Sequence, residues 1–232
     1  MRVVAMVCLS LLIPGIAAAA PAPAPVPAEP VPGTVAGAQI PPGLVLLLNR
    51  PDHQAAVLQA LHAVDDRVPD ACHDASYAST GEVELLVPLA EGPDGQPTAG
   101  VWRESAIETG CRTQRVLNVL TMVEPGGRLA SRPLLPGTTI TDPQLQRDSV
   151  RYAAAGLGPL PPGCQQGAVT DTAYLGLDGQ PPGTLPTAGA PIQPWNERWT
   201  LEACNKHVVV GMHFTPDPNG ATEIQATPPA GN

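Results

Sequence analysis

The sequence has few basic residues and very few aromatic ones. Its 232 residues include 12 Lys and Arg against 21 Asp and Glu, which gives a net charge of −9 at pH 7, and Lys206 is the single lysine. A surface of this charge repels phosphate backbones and anionic lipids, so we expect no nucleic-acid partner. Aromatic residues make up 3% of the chain, so each large side chain contributes much of the core that it enters.

The sequence also lacks the short motifs of several enzyme classes. It has no Gly-x-Ser-x-Gly elbow, no phosphate-binding P-loop, no His-Glu-x-x-His and no Cys-x-x-Cys. His207 and His213 flank an apolar run and would share one face of a strand, but no third metal ligand accompanies them. We therefore predict no catalytic residue, no metal and no cofactor.

Residues 1–20 have the composition of a secretory signal peptide. Arg2 precedes an apolar run over 3–16, and four alanines follow it. A Pro-Gly pair breaks the run, which is shorter than the roughly 20 apolar residues of a spanning helix. We predict cleavage near Ala20 and a periplasmic or secreted protein with no membrane span after cleavage; a retained anchor is the alternative. Residues 21–43 then form a Pro/Ala-rich linker.

The rest of the chain states one residue pattern twice. Trp102-x-Glu104 and Trp195-x-Glu197 each precede a cysteine, an apolar run and a Pro-x-Gly turn, and these matched positions lie 93 apart. Helix signals recur as well, with Asp52 and Asp142 as the expected N-caps. The pattern predicts an α+β protein of two tandem repeats of about 90 residues, each with one helix packed on a small antiparallel sheet. The predicted modules cover residues 44–137 and 138–232.

Four cysteines follow the predicted signal peptide, and an even number in an exported chain indicates two disulfides. Three pairings are possible, and the repeat favours one bond in each copy, Cys72–Cys111 and Cys164–Cys204. In the loop-entropy model, closing about 40 residues contributes about 4 kcal/mol at most.

Differences between the copies identify the candidate contact residues. Trp199 stands where the first copy has Ala106, and His207 and His213 have no counterparts; these three are the candidates for contact with a partner. The second copy also carries an inserted Gly/Pro-rich segment, Pro182–Pro194. The recurring Trp102 and Trp195 are instead expected to fill the cores beside the disulfides.

One segment resembles a known family. Residues 115–164 read as strand, Pro-x-Gly hairpin, strand, Asp-started helix and Pro-rich stop, which resembles the C-terminal domain of TonB-like energy transducers. The resemblance covers about a quarter of the chain and implies a periplasmic module of an energy-transduction system. The paired cysteines depart from that family. The ending Trp195-x-Glu197-x-Trp199…Cys204 is similar to the C-termini of secreted proteobacterial proteins with no assigned chemistry, and no residue role is carried over.

These observations favour an exported, non-enzymatic module that binds another envelope protein by strand addition at a sheet edge. One alternative is a partner or relative of a TonB-like system. Another is a cell-envelope hydrolase in which Glu104 and Glu197 act as paired carboxylates, although local ion pairing is a simpler role for them. The sequence leaves the oligomeric state open.

Overall fold

The fold is described from a computed structural model. The described residues are 34–35, 38–66, 74–93, 96–110, 114–157, 160, 162, 164, 167–187, 193–204 and 206–227. The predicted signal peptide, most of the predicted linker and the predicted Cys72–Cys111 bond lie outside them. No helix among these residues is long and apolar enough to cross a membrane.

Two sheets, antiparallel except for one short strand, form with their helices an α+β fold, as predicted. The first half contains α1 (Pro42–Leu48), α2 (Pro51–Asp65), β3 (Ser76–Glu91), β4 (Pro97–Thr109), β5 (Arg115–Val123) and β6 (Leu129–Pro133). The two-residue strands β1 (Thr34–Val35) and β2 (Ala38–Gln39) extend this sheet, which has the order β2-β1-β3-β4-β5-β6. Strands β3 to β6 form an antiparallel meander, while β1 runs parallel to β3.

In the second half, the described residues form one helix and four strands. These are α3 (Pro143–Ala155), β7 (Ala168–Leu177), β8 (Trp195–Ala203), β9 (Lys206–Pro216) and β10 (Thr222–Thr227), and the sheet order is β10-β9-β8-β7. The Cys164–Cys204 disulfide is formed, 40 residues apart in sequence, which confirms this part of the predicted pairing.

The helix starts agree with the sequence in one half and differ in the other. The Asp142 side chain caps α3 by accepting hydrogen bonds from the amides of Gln144 (2.8 Å) and Leu145 (2.9 Å). Asp52 was expected to cap α2 but lies within its first turn, because Pro51 already occupies the first helical position. The first half also has an additional helix, α1, which the predicted one-helix unit lacked.

The registers of the ladders β4–β5 and β8–β9 correspond position by position. Trp102 of β4 lies opposite Thr121 of β5, and Trp195 of β8 lies opposite Phe214 of β9. The β5–β6 and β9–β10 ladders obey the same relation, so the offset of 93 residues between the sequence copies also relates their hydrogen-bonding partners.

The helices pack on the sheets and bury the tryptophans. Helix α2 contacts β5 and β6, whereas α3 contacts β10 and β8. Trp102 and Trp195 are buried, as expected of the recurring residues. The second half has one core cluster, with these buried members: Ala153, Leu157, Leu177, Trp195, Trp199, Leu201, Ala203, Val210, Met212, Phe214. The first half has two smaller clusters, one under α1 around Trp102 and one under α2 around Leu117.

The segment between the halves lies along strands of both sheets. The Gly137 amide donates to the Val116 carbonyl of β5 (2.7 Å), and the Thr138 amide donates to the Thr172 carbonyl of β7 (2.6 Å). Gly137 has φ = 96°, and a Cβ there would lie 2.0 Å from the Thr172 carbonyl oxygen. Only glycine fits this close approach, which joins the sheets and occupies part of the β7 edge.

Candidate functional site

The repeated Trp-x-Glu motif is a local hydrogen-bonding device. The Trp102 indole N–H donates to Glu104 (2.8 Å), and the Trp195 indole N–H donates to Glu197 (3.0 Å). Residues i and i+2 of a strand lie on one face, so the glutamate satisfies the polar atom of a buried tryptophan. The motif therefore has a structural explanation in both halves.

The two glutamates differ in their second partners. Glu104 is 15% exposed and lies 2.8 Å from Nε2 of the buried His53. Glu197 is 1% exposed and also accepts from the Trp199 indole (2.8 Å) and the Ile140 amide (3.1 Å). The carboxylates therefore contact different partners, each within its own half, and share no cleft among the described residues.

Trp199 lies in the core. It is 0% exposed, its indole N–H is satisfied by Glu197, and it packs 6.3 Å from the Phe214 ring. A surface-contact role was expected for it because the first half has Ala106 at that position. Its burial corrects this expectation: the larger side chain is part of the core cluster of the second half.

The two candidate histidines lie apart on the outer side of β9. His207 is 67% exposed and 3.9 Å from Glu202. His213 lies 2.9 Å from Asp178, which also accepts from Asn196, and these hydrogen bonds lower the pKa of the Asp178 carboxyl, His213 contributing most. Six strand residues span about 20 Å, so the two imidazoles cannot share a ligand. Within the described residues, no group of three or more His, Cys, Asp or Glu could hold a metal ion.

A polar cluster that we did not predict crosses the first sheet near the end of α2. Tyr77, Glu108 and Arg115 are directly opposite one another on β3, β4 and β5. Arg115 donates to Glu108 (2.7 Å from Nε) and also pairs with Asp65, the last residue of α2. The Tyr77 hydroxyl donates to Asp65 and lies 3.3 Å from His62. We call Asp65, Tyr77, Glu108 and Arg115 the polar row.

Burial determines the ionisation of the polar row. Glu108 is 0% exposed, and its Oε1 atom has no hydrogen-bond partner among the described residues. Burial raises the pKa of Glu108, Arg115 opposes this shift, and the nearby Asp65 adds to it. Burial, with the hydrogen bond to Asp65, likewise raises the pKa of Tyr77. The row is therefore a coupled structural network with one under-satisfied carboxyl group.

A second feature is the outer edge of β10. Among the described strands this one pairs with β9 alone. The Asp217 amide donates to the Ala221 carbonyl (2.8 Å), so this opposed pair at the turn is a hydrogen-bonded one. Bonded and non-bonded pairs alternate along an antiparallel ladder. Thr222, Ile224 and Ala226 therefore direct their amides and carbonyls away from β9, toward the open edge.

A groove of about 480 Å³ lies between α3 and this edge strand. It is lined by Arg151, Tyr152, Ala155, Gly156 and Ala226. The Arg151 guanidinium lies 5.1 Å from the centre of the Tyr152 ring. The groove thus combines a small-residue floor with one cation and one aromatic ring.

Sequence reasoning missed both the polar row and the groove. The signal for the row was present in the alignment of the copies, because Glu108 corresponds to Leu201 and Arg115 to Val208. For the groove no comparable signal existed, since α3 and β10 are separated by most of the second half. No family model, curated protein or solved structure matches this chain, so the proposals below rest on its own geometry.

Proposed function

We propose that the protein is a non-enzymatic binding module of the cell envelope, which captures an extended segment of another protein by strand addition at β10. The observation that carries the proposal is the outer edge of this six-residue strand, which pairs with no further strand among the described residues. An exposed row of backbone donors and acceptors is a template for a further strand.

The other long edges are less suited to strand addition. The edge of β7 already accepts the amide of Thr138. Strand β6 has only five residues, and it carries Arg132 and ends in Pro133, both of which discourage pairing. Strand β10 contains no proline and has one charged residue, Glu223. It is therefore the edge that best fits an added strand.

We also infer that the two halves are tandem repeats produced by duplication. The shared offset of 93 residues in the ladders β4–β5 and β8–β9, and again in β5–β6 and β9–β10, supports this origin. The repeated positions are then scaffold, and a binding function is sought where the halves differ. Export to an oxidising compartment stays a prediction, with which the Cys164–Cys204 bond is compatible.

The relation to a TonB-like system also stays a prediction. Strands β5 and β6 and helix α3 follow one another in the expected order, but no contact in the described residues favours this relation over general protein binding. Determining the N-terminus of the purified protein would separate the two, because a transducer retains its N-terminal anchor.

Selection of peptides combined with hydrogen exchange tests the strand-addition proposal. A random heptapeptide library displayed on phage is panned against the folded protein, and amide exchange is measured with an enriched peptide bound. We expect slower exchange at Thr222, Ile224 and Ala226, whose amides face the open edge, and little change at Glu223 and Gln225 between them, whose amides already face β9.

A matched pair of variants completes this test. Ala226→Pro removes one edge amide and places a ring at the edge, so it should abolish binding, whereas Ala226→Ser keeps the amide and should bind. Thermal melting confirms that both variants fold. Failure to enrich any peptide, protection of a different surface, or undiminished binding by Ala226→Pro would each refute strand addition.

A further inference from the structure

We infer that the groove between α3 and β10 makes strand addition selective for an acidic segment, with Arg151 as the residue that recognises its carboxylate. This inference rests on the proposed function, which it deepens by stating the chemistry of the partner: an extended polypeptide with Asp or Glu at one position and a small apolar residue two positions away.

In a strand added at β10, alternate side chains would point toward the groove. Residues directly opposite each other in a ladder turn their side chains to the same face of the sheet. Ile224 and Ala226 are half-buried on the face that packs against the second core, and Ala226 lines the groove. Guest residues opposite these two would therefore point toward α3, and the alternate guest residues would point away.

The floor of the groove leaves room for a guest side chain because its residues are small. Ala155 and Gly156 come from the end of α3, and Ala226 from β10. A Cβ at Gly156 would lie 2.6 Å from a methyl group of Val210, so a larger residue cannot occupy this position without displacing the core. The small residues thus let the helix end pack closely while the space beside it stays open.

The positive charge of Arg151 favours a negatively charged side chain on the added strand. Arg151 has no hydrogen bond or ion pair with any residue that the structure describes, and its guanidinium lies against the Tyr152 ring. That stack restrains a flexible side chain and leaves the guanidinium donors available. A carboxylate can accept two parallel hydrogen bonds from a guanidinium group. Glu223 does not fill this role, because its side chain is exposed and accepts from Gln225 (3.0 Å).

The same phage selection tests the inference when it is run in parallel on two charge variants. The wild-type protein should enrich Asp or Glu at one position, with a small apolar residue two positions away. Arg151→Glu should lose this acidic preference and bind the wild-type consensus peptide about tenfold more weakly or worse. Arg147→Glu is the matched control, because Arg147 lies one turn earlier on α3 outside the groove lining, and it should keep both properties.

A second pair tests the groove by shape. Ala155→Leu fills the groove and should weaken consensus binding, whereas Ala154→Leu makes the same change at an exposed helix position outside the lining and should not. Leucine is a good helix former, so both variants should melt like the wild type.

The outcomes distinguish a failure of the role of Arg151 from a failure of strand addition. If Ala226→Pro abolishes binding but Arg151→Glu keeps the acidic preference, strand addition stands and the role of Arg151 is wrong. Basic or uncharged consensus peptides from the wild-type protein, or equal effects of Arg151→Glu and Arg147→Glu, would also overturn it. If Ala226→Pro binds normally, strand addition itself is refuted.

Discussion

The same row of the two sheets is polar in one half and apolar in the other. Across β3, β4 and β5 the row reads Tyr77, Glu108, Arg115, and Asp65 of α2 completes it. At the corresponding positions of the second half, β7, β8 and β9 carry Val169, Leu201 and Val208, which pack in the core with Leu157.

The comparison shows that one register of backbone hydrogen bonds accepts two kinds of interior. In the second half, apolar side chains in this row belong to one core cluster of ten buried residues. In the first half, which has the polar row, the described buried residues form two smaller clusters. A buried ion network is costly to assemble and costly to break. We therefore expect the halves to respond differently to the same chemical change.

The largest effect is expected from removing the cation of the polar row. Arg115→Val reproduces the residue of the second half at that position, but it leaves Asp65 and Glu108 buried without their cation. We expect the free energy of unfolding to fall by about 3–5 kcal/mol, measured by denaturant titration. Arg128→Ala removes the exposed partner of Glu124 and serves as the control, with a loss of at most about 1 kcal/mol.

Converting the whole row should recover this loss. In the variant Asp65→Leu/Tyr77→Val/Glu108→Leu/Arg115→Val the row becomes apolar, as in the second half. Stability should return to within about 1 kcal/mol of the wild type or exceed it, because a packed apolar set replaces a desolvated network. A fourfold variant less stable than Arg115→Val would show that the equivalence of the rows is wrong.

Removing the glutamates of the two Trp-x-Glu motifs should lower the free energy of unfolding by different amounts, and we expect this difference to be smaller than the effect of Arg115→Val. Glu197→Ala leaves two buried indoles and one backbone amide without an acceptor, and we expect a loss of about 3–4 kcal/mol. Glu104→Ala affects Trp102 and His53 at a partly exposed position, and we expect about 1–2 kcal/mol. Paired denaturant titrations measure both; an equal or larger loss for Glu104→Ala would contradict the difference in burial.

The pH dependence of stability should also distinguish the rows. Because the pKa of Glu108 is raised above its usual 4.5, the native state holds a proton that the unfolded state has lost between these two values. Stability should therefore fall as pH rises through that window and increase as pH is lowered toward 4.5. The fourfold variant lacks this group, so the unfolding free energy of the wild type minus that of the variant should increase as pH is lowered toward 4.5.

The smallest effect is expected at the exposed pair of Asp178 and His213. Its hydrogen bonds lower the pKa of Asp178 below the usual 3.8, so their contribution is present above that pH and is lost as pH falls through the lowered value. Asp178→Asn should cost at most about 0.5 kcal/mol at pH 6 and less in high salt. A loss above 2 kcal/mol would mean that the inserted segment beside Asp178 depends on this contact.

The repeated residues allowed much of the scaffold to be predicted. The Asp142 cap, the buried Trp102 and Trp195 and the Cys164–Cys204 bond all follow from local chemistry or from recurrence in the two copies. The expectations for Trp199 and Asp52 failed for different reasons. Trp199 was assigned by its lack of an aromatic counterpart, but an unmatched residue can fill a core, and Asp52 was displaced from the cap by the proline before it.

By itself, the sequence determined the alternation of helices and strands, the net negative charge and the correspondence between the two copies. The tertiary structure alone decided which edge is left without a partner among the described strands and what lies beside it. Arg151, on α3, reaches the same groove as Ala226, 75 positions later on β10, only because the helix packs next to the last strand. Likewise, Asp65 meets Arg115 across 50 residues. Such contacts depend on how elements pack, and periodicity and local propensity carry no information about distances between elements that are far apart in the chain.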